Sequence, residues 1–169
     1  MNLLAGVRVF ERGWLSSNNI LLQQAGGASL IDSGYGTHAA QTIALLEQGL
    51  GNAPLTQIVN THCHSDHVGG NAAIRRRFGC RIVIPEGEAP LVERWDEDAL
   101  LYRYADQFCE RFEFDATCAP GDVLRLGSID WQVLAAPGHD AHAVMLHAPA
   151  ERLLISGRSE ERRVGKECA

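Results

Sequence analysis

The stretch THCHSDH, Thr61 to His67, places three histidines and an aspartate within six residues, directly after the run Gln57-Ile58-Val59-Asn60. Clustered imidazoles and a carboxylate give a core little and cost desolvation when buried. The same groups are the usual ligands of zinc and similar divalent ions, histidine being the commonest. Whatever the chain folds into must therefore deliver this run to a metal site.

The spacing divides the candidates. With extended backbone carried past Thr61, alternation points His62 and His64 the same way, as a chelating pair needs, and turns Cys63 aside as a packed thiol. Asp66 and His67 come after the chain has begun to turn, so they face a second point nearby. Gly69-Gly70 then permits a tight path into the next helix. Two ions about 3.5–4 Å apart that clamp one oxygen form a recognised hydrolytic arrangement.

At these residues the chain resembles the metallo-β-lactamase superfamily, whose signature is HxHxDH after a strand. Two further stretches match in family order. Ala136-Pro137-Gly138-His139 follows the apolar run Trp131 to Ala135, and Leu30-Ile31-Asp32-Ser33-Gly34 is similar to a strand-ending D[ST]G. The resemblance implies that His62, His64 and His139 hold one metal and that Asp66 and His67 belong to a second. Asp66 would also act catalytically by orienting the attacking water. Two divalent ions are implied, zinc foremost, with iron or manganese as alternatives because imidazole and carboxylate do not separate them. The implied fold is α/β, a four-layer αββα sandwich with the metals on strand-end loops, here incomplete at the C-terminus.

The chain also departs from the family pattern. An SGD-like turn, whose aspartate bridges the metals, is expected where this chain has Ser156-Gly157-Arg158. The run RSEERRVGKEC, Arg158 to Cys168, reads as a translated sequencing adapter, and it carries the only lysine, Lys166. We expect one domain over residues 1–157 and a non-native tail over 158–169, with the bridging aspartate and a last histidine ligand lacking. Asp140 stands where the family often has threonine. Asp32 reads equally as a brace for the metal loop and as an Asx-turn residue before Ser33-Gly34. His142 reads as a surface or supporting imidazole, or as a substrate contact.

A net charge of −6 argues against phosphate-backbone binding, and the one basic cluster, Arg75-Arg76-Arg77, has the spacing of a solvated helix face. The N-terminus lacks a secretory pattern, and no apolar run approaches the ~18 residues of a membrane span. Five cysteines without a CxxC pair suit reduced thiols. We expect a cytoplasmic protein with a small-molecule substrate and no nucleic-acid or membrane partner. Oligomeric state carries no signal. The resemblance implies metal-dependent hydrolysis of a small ester, thioester or lactone, as in the glyoxalase II-like branch. Its alternatives are an iron-dependent persulfide dioxygenase or di-iron redox protein, and an inactive fragment.

Periodicity and turn residues predict strands at Val7–Phe10, Asn19–Gln23, Ser29–Asp32, Thr56–Asn60, Arg81–Ile84, Arg111–Phe114, Asp122–Leu126, Ile129–Leu134, Ala143–His147 and Arg152–Ile155. They predict helices at Thr37–Gly49, near Asn71–Phe78, and over Glu86–Phe108 with an interruption at Trp95-Asp96.

Overall fold

Along the central strands, neighbouring residues are buried on opposite sides. Leu21, Leu30, Ile58, Ile82 and Ile84 enter one core, while Leu22, Ile31, Val59 and Val83 enter another. Strands covered on both faces need apolar residues at successive positions, so they read as unbroken runs rather than alternation. The computed structural model describes residues 6–13, 16–103 and 106–157.

The first sheet has six strands in sequence order: β1 (Val7–Phe10), β2 (Asn19–Gln24), β3 (Gly27–Ile31), β4 (Leu55–Val59), β5 (Arg81–Pro85) and β6 (Ala116–Cys118). The pairs from β1 to β3 are antiparallel and those from β3 to β6 parallel. Parallel neighbours need crossovers. α1 (Ala39–Leu50), entered through the 3-10 turn Gly36–His38, joins β3 to β4. The single turn α2 (Ser65–Val68) and α3 (Asn71–Phe78) join β4 to β5. Leu46 and Leu50 of α1, Ile74 of α3 and Val92 of α4 (Ala89–Arg94) fill the core on the outer face.

The second sheet is an antiparallel meander of β7 (Val123–Leu126), β8 (Ile129–Ala135), β9 (Val144–Ala148) and β10 (Leu153–Ile155). Trp131, Val133, Val144 and Leu146 face the first sheet, and the Trp131 indole N–H donates to the Leu126 carbonyl at 3.1 Å. Among the described residues the layers are helix, sheet, sheet. Val123 and Leu154 lie exposed on the outer side of the second sheet, where the expected sandwich has its fourth layer.

The structure departs from the predicted elements between Glu86 and Phe114. The helix ends at Arg94, where Trp95 takes a left-handed φ of 54° and its N–H donates to Leu91 and Val92 carbonyls. Turns follow, and they bury Leu100 and Tyr102 without a helical stripe. No strand forms at Arg111–Phe114. Phe112 is buried and Phe114 packs on the core, so the alternation reflects burial, but ladder pairing starts only at Ala116 beside Val83. Tyr104 and the tail from Arg158 lie outside the described residues.

Candidate metal centre

β4 ends at Val59, and residues 60–64 form an irregular loop ahead of α2. Strand alternation therefore does not orient the histidines. His62 and His64 nonetheless converge, with ring centroids 4.8 Å apart, while Cys63 is fully buried in the helix-side core. Burial first, then the carboxyls of Glu88, Asp140 and Asp32, raises the Cys63 thiol well above its usual range, so it stays protonated and packed.

His139 arrives from the second sheet. Its loop, between β8 and β9, is closed by the Ala136 N–H donating to the Ala143 carbonyl at 2.9 Å. The Val144 N–H, donating to the Thr61 carbonyl at 2.9 Å, ties that loop to the histidine loop. Nδ1 of His64 and Nε2 of His139 come within 2.7 Å. Among the described residues, His62, His64 and His139 form a group in which one nitrogen from each ring lies within 4.8 Å of the other two.

The rings are held from behind. The Thr61 hydroxyl donates to Asp32 Oδ2 at 2.8 Å, so it accepts from Nδ1 of His62 at 3.2 Å, which leaves Nε2 as the ring atom on the side away from Thr61. Asp32 Oδ1 accepts the Thr61 backbone N–H at 2.9 Å. Asp32 is 2 % exposed and sits at φ 56°, a conformation aspartate tolerates better than most residues. It is both a left-handed turn residue and the brace of the loop.

Asp66 and His67 lie on α2, where His67 Nε2 stands 3.4 Å from Asp66 Oδ2. His67 Nδ1 faces Asp32 Oδ2 at 2.8 Å. Burial disfavours the imidazolium, but Asp32 and Asp66 outweigh it and raise His67 to about 9. Burial likewise opposes ionisation of Asp66, yet its contact with His67 holds that carboxyl below its ordinary value. This corner is built to stabilise positive charge, whether a proton or a metal.

The donor set fits divalent cations. Two ligands at about 2.0–2.2 Å from a tetrahedral ion stand roughly 3.3–3.5 Å apart. The Asp66–His67 donor pair meets that spacing as it stands. The His64–His139 contact is shorter, a direct N–H to N hydrogen bond that has to open by several tenths of an ångström.

Asp140 faces this cluster too, with Oδ2 3.5 Å from Nε2 of His64 and Oδ1 accepting the His142 backbone N–H at 2.7 Å. The exposed His142 ring lies against Gly87, where a Cβ would come within 2.4 Å of it. Glu88, 1 % exposed, is another carboxyl beside Asp140. Burial and then Asp140 raise it to about 8. Sequence reasoning missed Thr61 and Glu88. Thr61 adjoins the motif, a usable signal, whereas Glu88 had none.

Residues 12–164 match the profile of the Metallo-beta-lactamase superfamily. The chain belongs to that superfamily. A hydroxyacylglutathione hydrolase of Mesorhizobium japonicum is 37% identical over 101 residues, 60% of this chain and 32% of that protein. One from Rhodopseudomonas palustris is 33% identical over 115 residues, 68% of this chain and 36% of that protein. This superfamily member thus spans about a third of the length of these relatives. Among solved structures, a subclass B3 metallo-β-lactamase of Bradyrhizobium japonicum superposes with a TM-score of 0.71 at 22% identity, covering 88% of this chain and 55% of that one. A Cronobacter sakazakii metallo-β-lactamase with a HARLDQ motif gives 0.70 at 24% identity, covering 83% and 54%. Such likeness establishes the fold; the site rests on this chain's own residues. No helix among the described residues is long and apolar enough to cross a membrane.

Proposed function

We propose that residues 1–157 form the metal-binding domain of a hydrolase that cleaves a small thioester or related acyl substrate. The observation that carries this reading is the nitrogen triangle of His62, His64 and His139 beside the Asp66–His67 donor pair. The names of the curated relatives support a glutathione thioester as the substrate class, and the chain's negative charge disfavours polyanions. We assign zinc as the resident ion, two per intact protein.

A divalent ion held there would supply Lewis acidity and a water acidified towards neutral pH. Asp66 is the most exposed of the three carboxylates flanking the histidines, its side chain 32% accessible against 12% for Asp140 and 3% for Asp32. It stays ionised and accepts a hydrogen bond from the attacking water, setting its orientation. Thr61 and Asp32 hold Nδ1 of His62 and of His67, which orients the opposite nitrogen of each ring towards the metal site.

The test is thioester cleavage by this chain, with metal content measured beside turnover. Cleavage of an S-acyl glutathione is expected to follow bound zinc and to vanish on chelation. Asp66→Ala should lower turnover at least about a hundredfold. His147→Ala, on the outward side of β9, should leave it unchanged. Equal turnover by metal-free protein would overturn the reading. Oxygen consumption with a persulfide by iron-loaded protein, without thioester cleavage, would replace it with the dioxygenase alternative.

A further inference from the structure

In the motif, two imidazoles have their rear nitrogens secured by groups close in the fold: His62 by Thr61 and His67 by Asp32. The geometry points to Asp140 as the positioning residue for the remaining one, His64: its Oδ2 takes the Nε2–H of that ring and so aims Nδ1 at the metal. This inference rests on the metal-site reading above and concerns the ligand's orientation, not the reaction.

Three observations carry it. Nε2 of His64 and Oδ2 of Asp140 lie 3.5 Å apart between side chains only 9% and 12% exposed, so water competes weakly for either. The opposite ring nitrogen, Nδ1, already faces His139 within the triangle, which makes Nε2 the rear atom. Asp140 is itself fixed from two sides. Its Oδ1 accepts the His142 N–H, and the His142 ring is seated on Gly87, where any side chain would collide with Nδ1 and Cγ at 2.4 and 2.6 Å. One carboxylate thus shapes the loop that bears His139 and turns the ring of His64, linking ligands from the two sheets.

Three substitutions separate this role from simple loop support. Asp140→Asn keeps an oxygen for the residue-142 N–H but turns an amide NH2, a donor, towards Nε2 of His64. Asp140→Ser keeps a cap for the residue-142 N–H but is too short to reach His64. Asp140→Ala keeps neither. Zinc affinity of the full chain is measured by competition with a chromophoric chelator, and the His64 tautomer of the metal-free protein by long-range proton–nitrogen correlations. Asparagine, serine and alanine should each weaken zinc binding about 10–100-fold, alanine most because it also loses the loop cap. The parent should show His64 protonated at Nε2, and the serine variant should lose that preference. A serine variant that binds zinc as tightly as the parent, or a parent His64 protonated at Nδ1, would overturn the inference. Tight zinc binding without thioester cleavage would sink the hydrolase reading alone.

Discussion

Asp32 Oδ2 lies 2.8 Å from Nδ1 of His67, although 35 residues separate them in the chain. The same carboxylate receives the backbone N–H and the hydroxyl of Thr61. One residue at the end of β3 therefore fixes the entry of the histidine loop and the ring orientation of a histidine beyond it. Removing it strands several buried partners. Asp32→Ala is expected to cost roughly 3–5 kcal/mol in denaturant unfolding of the metal-free chain, because it removes the nearer of the two carboxylates that offset a buried cationic imidazole and strands the Thr61 N–H. A loss below about 1 kcal/mol would show that the brace is idle.

Stability without metal should fall as the solution becomes alkaline. Glu88 moves from an ordinary 4.5 to about 8, burial being the first cause and Asp140 the next. The folded chain keeps a proton that the unfolded chain gives up, so this stabilisation is full below 4.5 and lost as pH rises through 8. His67, raised from 6.5 to about 9, acts in the same direction over a higher window. Glu88→Gln should therefore flatten the curve between about 4.5 and 6.5 and leave the decline above it. Urea unfolding of chelated protein across this range is the measurement. Parallel curves for the two proteins would rule out an ionising Glu88.

Cys63 sits between two candidate ligands and contributes none. Cys63→Ala should leave bound zinc unchanged and cost roughly 1–2 kcal/mol from lost packing, whereas His64→Ala should lose the metal held by the triangle. Metal content that falls equally in both would make Cys63 a ligand.

Gly69 and Gly70 are needed for close approach rather than for unusual dihedrals, since their φ values are −59° and −85°. A Cβ on Gly69 would stand 2.3 Å from the Gly36 nitrogen, and one on Gly70 would stand 2.5 Å from the Ser33 carbonyl oxygen. Gly69→Ala should destabilise by about 1–3 kcal/mol as backbone is pushed apart. It should also weaken zinc binding, because α2 carries Asp66 and His67. A thermal scan with a zinc titration checks both, and an unchanged melting point would refute the contact.

Local chemistry made much of this legible in the sequence. The alternation of Ile129 to Leu134, the helix Asn71–Phe78 and the HxHxDH run each declare themselves over a few residues, because side-chain period and ligand type are local properties. The segment after Arg94 did not. Its aromatic and acidic residues suit a helix, yet burial of Leu100, Tyr102 and Phe112 against sheet-face residues far along the chain settled on turns and an unpaired extended run. The convergence of His62 and His64 was foreseen for a strand that stops at Val59, and an irregular loop braced by Asp32 achieves it instead. Only the tertiary structure decided that Asp140 faces His64 and that Glu88 is buried beside it. Those relationships join loops from both sheets across dozens of residues, and packing between sheets, rather than any local preference, sets such distances.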